Sequence, residues 1–317
     1  MARIVSIGAA LQDVYLIDHD DFGTNSRGYF NQLELGTKVD IDTIQFNTGG
    51  GATNAATTFA RSNHQSIFMG CIANDPAGDA IIAALDDEGI DSSYVTYTTR
   101  AHTGYSVLLL APSGERTILT CRGASAKFEL LNPDDLETIN PDWIYVTTFR
   151  GNMDMLDLFF TKAKALGSKI MFNPGNLELQ HKRKLLGLLS DVDVLLLNKQ
   201  EVKQIVEGST LLELIHRVKN YVPTAIITDG SQGAIAVNQD EVYRIGLYED
   251  VHVKDSTGAG DAFGSGFLAA FADGKSFKDS LIFASANSTS VVQKIGSKAG
   301  IINKNTKLHD MPIQEIR

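Results

Sequence analysis

Short runs of apolar residues recur along the chain, separated by longer segments whose apolar positions follow a helical period. Residues 4–7 read as a first strand that stops at Gly8. Residues 52–61 read as a helix, followed by a strand at 67–69 and a helix at 77–87. Further along, residues 143–146, 169–172, 194–197 and 225–228 are apolar runs of strand length. Between them, residues 153–166, 182–189 and 211–218 are amphipathic with helical spacing. Uninterrupted apolar strands spaced by helices mark a parallel sheet buried on both faces. With right-handed crossovers this predicts an α/β fold, a three-layer α/β/α domain with a mainly parallel sheet.

Two segments break the rhythm. Residues 15–46 hold no long helix and include the alternating run 38–42, and residues 94–120 read as strands around a turn at Pro112-Ser113-Gly114-Glu115. They predict a small β-sheet lid made of 15–46 and 94–120, standing off a main domain made of 1–14, 47–93 and 121–317. Apolar residues make up 43% of the 317 and charged residues 21%, enough to bury a large core. The formal charge of −10 argues against nucleic acid or an anionic membrane as partner, since both call for a basic face. Cys71 and Cys121 are the only cysteines, with no CxxC pair, so two buried reduced thiols in a cytoplasmic protein are expected rather than a disulfide scaffold or zinc site. No signal peptide and no bilayer-length apolar run is visible.

The most informative stretch is Asp255-Ser256-Thr257-Gly258-Ala259-Gly260-Asp261, a loop of small residues leading into an apolar helix. Amides at a helix start lack internal partners and carry the positive end of the dipole, and small residues leave them open to a bulky anion. A carboxylate beside such a site suits a base that takes a proton from an attacking hydroxyl, and the helix start is expected to help keep it ionised. The same residues also fit a helix cap and a turn. No Walker A pattern is present, and no G-x-G-x-x-G follows the first strand, which excludes a P-loop enzyme and a nicotinamide-dependent dehydrogenase.

This stretch resembles the D-T-x-G-A-G-D signature of the ribokinase-like (PfkB-type) carbohydrate kinase family, with Ser256 in place of the commoner Thr. The resemblance implies that Gly258, Ala259 and Gly260 form an anion hole for the transferring phosphate and that Asp261 is the catalytic base. It also implies a potassium ion near Asp255 and Thr257, with the segment 295–300 beside it. A second family signature is matched by Asn47-Thr48-Gly49-Gly50-Gly51-Ala52-Thr53-Asn54 and by the segment 70–79, with Ala73 where Gly is usual. Gly51 stands where a lysine can occur. Here Gly49 and Gly50 would let a polyol approach the backbone, and Asn54 would offer a donor and an acceptor to its hydroxyls. Asp13 fits the family's first sugar-binding carboxylate, expected at the carboxyl end of the first strand.

On the nucleotide side, Asn198 and Glu201 reproduce the family's N-x-x-E motif, which implies magnesium held largely through water; a helix-capping pair reads the same way. Residues 228–233 resemble the T-x-G-x-x-G segment that lies along ATP, with Thr228 and Gly230 as phosphate contacts and Gly233 serving the turn. Ala286 and Asn287 fall where relatives form the adenine slot, and Asn173 lies on the same face. The resemblance runs from about Ile4 to Gly300 and implies a kinase that moves the γ-phosphate of ATP onto a hydroxyl of a small sugar of the ribose or fructose kind. Alternatives are a nucleoside kinase acting on the ribose 5′-hydroxyl and a non-catalytic ligand-sensing relative. Phe22, Tyr29, Phe30 and Phe46 could line a slot for a nucleoside base, or form the core or a homodimer face of the lid. A phosphosugar acceptor would call for an arginine, for which Arg116, Arg122 and Arg150 are available.

Overall fold

The computed structural model of the chain describes residues 1–17, 36, 38, 40–110, 114, 116–246 and 251–316. The first half contains β1 (Arg3–Ile7), β2 (Leu11–Ile17), β3 (Thr43–Gly49), α1 (Gly51–Arg61), β4 (Gln65–Met69), β5 (Cys71–Ala73), α2 (Pro76–Asp87), β6 (Thr96–Thr98), β7 (Gly104–Leu110) and β8 (Arg116–Cys121). Next come α3 (Asp135–Ile139), β9 (Trp143–Val146), α4 (Met153–Ala165), β10 (Lys169–Phe172), α5 (Asn176–Gln180), α6 (Lys182–Leu188), β11 (Val194–Asn198), α7 (Lys199–Ile205) and α8 (Leu211–Val218). The last part holds β12 (Thr224–Thr228), β13 (Ala234–Asn238), β14 (Glu241–Ile245), α9 (Ala259–Ala272), α10 (Phe277–Val292) and β15 (Ile313–Glu315).

The main sheet runs in the order β15-β14-β13-β12-β11-β10-β9-β1-β4. From β4 to β12 every pairing is parallel, and β13, β14 and β15 add an antiparallel edge. Successive side chains leave opposite faces of a strand, and here each face meets a separate apolar layer. Val5, Ile7, Ile144, Val146, Ile170, Phe172, Leu195 and Leu197 pack toward α4, α6, α7 and α8. Ile4, Trp143, Tyr145, Met171, Val194 and Leu196 pack toward α1, α9 and α10. Helix α9 is apolar nearly all round, as a helix sandwiched between the sheet and α10 must be.

The small sheet has the order β3-β2-β7-β8. Its strands extend past residues 15 and 46, because the pairing of Leu11 with Gly49 continues the β2–β3 ladder down to the main domain. Strand β6 pairs instead with β5, outside the small sheet. Phe22, Tyr29 and Phe30 lie outside the described residues, as does most of the turn around Gly114; Phe46 is 67% exposed. Cys71 is buried but Cys121 is exposed, because the edge strand β8 has no neighbour beyond it. The expectation of two buried thiols is corrected on that point. Among the described residues no helix is long and apolar enough to cross a membrane.

The loops at the carboxyl ends of β9 and β10 are tied together by one buried carboxylate. Glu178 accepts hydrogen bonds from the amides of Phe149 (2.8 Å), Gly151 (2.7 Å) and Gly175 (2.8 Å) and from Thr148 Oγ1 (2.9 Å). A buried donor left without an acceptor costs about 1–3 kcal/mol. Glu178→Ala is therefore expected to lose about 3 kcal/mol or more in urea unfolding, and Glu178→Gln less; equal, small losses would show that the loops do not depend on it.

Candidate active site

Helix α9 starts from Gly258, whose φ of +80° and the nearness of Ser297 Cβ (2.5 Å from where a side chain would begin) leave room for no other residue. The amides of Gly260 and Asp261 have no acceptor within the helix, and nothing lies over Gly260. Asp261 stands in this first turn with its carboxylate turned toward the start of α1. Asn54 Nδ2 donates to Asp261 Oδ2 at 2.9 Å, and Asn54 Oδ1 accepts from Ser297 Oγ at 2.9 Å.

The glycines before α1 are equally closely packed. Gly50 has a φ of +103°, and a Cβ there would lie 2.3 Å from the Ala9 carbonyl oxygen. A Cβ at Gly49 would collide with the Asp13 carboxylate, and one at Gly51 would sit 3.1 Å from Asp261 Oδ1. The glycine cluster thus lies between the carboxylates of Asp13 and Asp261. Asp13 is a buried residue of β2, in register with Asn47 on β3 and Ser106 on β7. It therefore belongs to the small sheet and not to the carboxyl end of β1, where the sequence placed it. The β2 ladder continues down to Leu11 and carries Asp13 over the main sheet.

Asp255 is fully buried, and its oxygens accept from the amides of Thr257 (2.9 Å) and Gly296 (3.0 Å). Beside it lie the buried hydroxyls of Thr257 and Tyr15, the latter within reach of both Asp255 and Thr257. Two buried hydroxyl oxygens next to a buried carboxylate are the hard oxygen donors that a monovalent cation takes. Ser256 Oγ accepts from Arg116 Nη1, which ties the β7–β8 hairpin to this loop.

Asn198 and Glu201 form a capping box on α7. Asn198 Oδ1 accepts from the amides of Gln200 and Glu201, and Glu201 Oε2 accepts from the Asn198 amide at 2.8 Å. Glu201 keeps one oxygen for a water shell, so the pair fits a hydrated divalent cation rather than direct ligation. Thr228 pairs in register with Asn198 at neighbouring strand ends, and Gly230 follows it with a φ of +51° and open space around it. Asn287 is different. It is fully buried, donating to the Ala262 carbonyl (2.8 Å) and accepting from the Ile302 amide (3.0 Å). Its amide clamps α9 to the C-terminal segment, so it is not turned toward a nucleotide as expected. Asn54, expected to face the sugar, likewise spends its amide on Asp261 and Ser297.

Ser297 and Lys298 form part of the cluster; the segment 295–300 was expected beside Asp255 and Thr257, but neither residue was given a role of its own. Lys298 Nζ donates to Thr48 Oγ1 at 2.9 Å. The Gly296-Ser297-Lys298-Ala299-Gly300 run carried the signal in its small residues, but nothing local said which way its lysine points. A cavity of about 400 Å³ lined by Lys199, Leu211, Asp229, Gln232 and Arg244 lies by α8, on the opposite face of the sheet from α9. It shares no residue with the cluster around Asp261.

Burial raises the Asp13 carboxyl to about 7, against the pull of Lys298 and Ser106, and the charges of Asp255 and Asp261 push the same way. Burial holds the Lys298 ammonium down to about 8, although Asp13 opposes this. Burial also raises Asp261 above the ordinary carboxylate range, with the Asn54 hydrogen bond working against it. The helix start was expected to help keep it ionised; desolvation, the largest influence, works the other way. Glu201 is raised by burial too, and Asp261 adds to the shift.

Residues 1–304 match the pfkB family carbohydrate kinase model. The chain belongs to that family, and is an ATP-dependent kinase of the carbohydrate class. It is 28% identical over 274 residues to a ribokinase of Arabidopsis thaliana, covering 83% of this chain and 71% of that one. A nucleoside kinase of Methanocaldococcus jannaschii is 24% identical over 271 residues, covering 84% and 86%. Among solved structures, Arabidopsis thaliana ribokinase complexed with ribose and ATP superposes with a TM-score of 0.79 at 23% identity, covering 96% of each chain. The Methanocaldococcus jannaschii nucleoside kinase also gives 0.79, at 21% identity and 96% coverage of each. The ribokinase-like fold with its smaller lid sheet is common to all of these.

The raised Asp13 carboxyl has a measurable consequence. A group whose folded pKa lies above its unfolded value binds more protons when folded, so it favours folding at low pH and loses that advantage as pH rises through the folded pKa. The stability of the wild type relative to Asp13→Asn is expected to fall from about pH 4 to about pH 7 and then level off. A difference that stays constant over this range would show an ordinary carboxyl at position 13.

Proposed function

We propose that Asp261 is the base of a phosphoryl transfer from ATP to a hydroxyl of a small sugar held between the lid and the start of α1. The observation that carries this reading is the Asn54–Asp261 hydrogen bond, which fixes the carboxylate between the open helix start of α9 and the Asp13 side of the cleft. The acceptor hydroxyl gives its proton to Asp261 as its oxygen attacks the γ-phosphorus. The bond from that phosphorus to the bridging oxygen breaks, and ADP leaves. The amides at residues 258–260 face the developing charge on the transferring group. Asp13, with Ser106 beside it, accepts from the acceptor's other hydroxyls, and Gly49 and Gly50 give the ring room. Asn54 orients the base instead of contacting the sugar directly.

On the nucleotide side, Thr228 and Gly230 are the phosphate contacts. Magnesium would be held through water at Glu201 and Asn198, and would neutralise charge on the phosphates. A potassium ion would be held by the oxygens of Thr257 and Tyr15 beside Asp255. A raised carboxyl suits a general base working near neutrality, because its proton affinity approaches that needed in the transition state. Two unpaired cysteines suit a reducing, cytoplasmic setting. The lid carries exposed Ile44, Phe46 and Leu119 near its edges, which supports a homodimer formed through it.

Asp261→Asn is expected to lower kcat by about 10²–10⁴-fold, with the acceptor KM little changed. In the wild type, turnover should fall on the acid side as the raised carboxyl takes up a proton. Wild-type turnover in that variant would remove Asp261 as the base. Sedimentation should show a dimer that Phe46→Asp together with Leu119→Asp dissociates, and a wild-type monomer would discard the lid interface. An acceptor panel of pentoses, hexoses and nucleosides separates the sugar reading from a nucleoside kinase.

A further inference from the structure

Three successive residues, Gly296, Ser297 and Lys298, reach three different parts of the cleft. The Gly296 amide donates to Asp255 at 3.0 Å. Ser297 Oγ donates to Asn54 Oδ1 at 2.9 Å, and Asn54 holds Asp261. Lys298 Nζ donates to Thr48 Oγ1 at 2.9 Å, on the lid strand β3. A Cβ at Gly296 would lie 2.6 Å from Asn47 Nδ2, so the segment lies against two successive residues of that strand. Strand β3 is at the edge of the lid sheet and pairs only with β2, where Asn47 stands opposite Asp13 and Thr48 opposite Gln12. The inner end of β3 thus has one neighbour in its own sheet and a second in the segment 296–298.

The segment itself is pinned along α1. Asn54, in the first turn, takes the Ser297 hydroxyl. Arg61, the last residue of α1, donates through Nη1 to the carbonyl oxygens of Lys298 (3.0 Å) and Ile301 (2.8 Å). Its remaining N–H groups are held by the Glu88 carboxylate at the end of α2. With its backbone fixed in this way, Lys298 offers the lid a stationary donor. Burial draws the ammonium out of water, and among the described residues Thr48 Oγ1 is its one hydrogen-bond partner. A hydrogen bond from a charged donor is stronger than a neutral one, and its loss in a desolvated place costs more.

We propose that Lys298 is a positioning residue for the transfer: through Thr48 it sets the inner end of β3, and with it Asp13, against the base that its neighbour Ser297 orients through Asn54. The effect on turnover rests on the reading of Asp261 as base and Asp13 as acceptor contact; the effect on the lid strand does not. Because the two side chains leave adjoining residues of one pinned segment, acceptor carboxylate and base share a single frame. A misplacement of about 1 Å between reacting groups can cost about 10²-fold in rate.

The two side chains should fail differently. The test measures kcat, acceptor KM and ATP KM with D-ribose and D-fructose, together with amide hydrogen exchange of the protein without acceptor. Lys298→Met and Thr48→Val remove the same bond from its two ends. Each is expected to raise the acceptor KM about 10-fold with kcat changed far less, and the double variant should be no worse than either single one. Lys298→Arg keeps a donor of similar reach and should restore most of the affinity. Ser297→Ala should do the reverse, lowering kcat about 10-fold while the acceptor KM stays near the wild-type value. The KM for ATP should not move in any of them. Exchange across β3 should quicken about 10-fold in Lys298→Met, with the main-sheet strands still protected. Additive losses in the double variant overturn the proposal, as does a Ser297→Ala enzyme that loses kcat and KM in the same proportion as Lys298→Met. Unaltered exchange in β3 overturns it whatever the kinetics. If Lys298→Met fails to fold, Thr48→Val gives the same kinetic and exchange readouts. A wild type that phosphorylates neither sugar, with β3 exchange still quickened by the variant, keeps Lys298 as the residue that sets the lid strand and overturns the reading of a ribose or fructose kinase.

Discussion

The hydrogen bond between Asn54 and Asp261 joins the starts of two helices that lie 207 residues apart in the chain. A carboxylate can only accept, so the amide nitrogen must face it, and the amide oxygen is left to Ser297. That orientation is held one turn deeper by a polar seam inside the packed helices. Ser265 Oγ lies 2.8 Å from Thr58 Oγ1, and Asn287 reaches the Ala262 carbonyl from α10. Buried polar groups left unmatched would cost more than the packing around them returns. The seam therefore fixes the register of α1, α9 and α10 against one another. The carboxylate at the top of the seam inherits that register, which is what aims a single side chain between the starts of α9 and α1.

The layered architecture was legible because each buried strand is a continuous apolar run and each helix has its own period. The motif residues at strand ends and helix starts were legible because glycines, a capping Asn and an acidic residue are read within a few positions of one another. What could not be read was contact between distant segments. Asn54 looked like a sugar contact until Ser297 and Asp261 were seen to use both ends of its amide. Asn287 sat at the expected place in the chain, but only packing shows that it faces α9 and the C-terminal segment. The antiparallel edge was also obscure, since β14 and β15 are short and half-exposed and carry weak periodicity. Asp13 was recognised, but its strand was not, because the alternation of residues 11–17 becomes clear only once Gly49 and Gly104 are seen as its partners.

Register also explains why the lid presents a polar band. Asn47, Asp13, Ser106 and Thr120 lie opposite one another across β3, β2, β7 and β8, one from each strand. A shift of one residue in any of these pairings would turn a polar member outward and bring an apolar one in. Leu11 next to Gly49 and Gly104 marks the inner end of the band, where the absence of side chains lets the sheet approach the main domain. Shape and chemistry are thus set by the same ladder.

The cleft gathers Asp13, Asp255 and Asp261, three buried carboxylates, against one buried lysine. Burial raises the Asp13 carboxyl to about 7, and the charges of Asp255 and Asp261 add to it. Lys298 offsets part of it, and its hydrogen bond to Thr48 Oγ1 attaches the C-terminal segment to the lid strand β3. The chain as a whole is acidic, with a formal charge of −10, but charges beyond about 8–10 Å are screened by salt, so the local balance governs what enters. That balance is uneven: Asp13 lies on the lid strand β2, Asp255 and Asp261 lie around the start of α9, and Lys298 is the cation among them. A cleft whose carboxylates are held at fixed points orients the hydroxyls it receives before any bond changes, since each carboxylate accepts only along its own lone pairs. Orientation of that kind is where phosphoryl transfer draws much of its rate, because the chemistry itself asks for little beyond position and field.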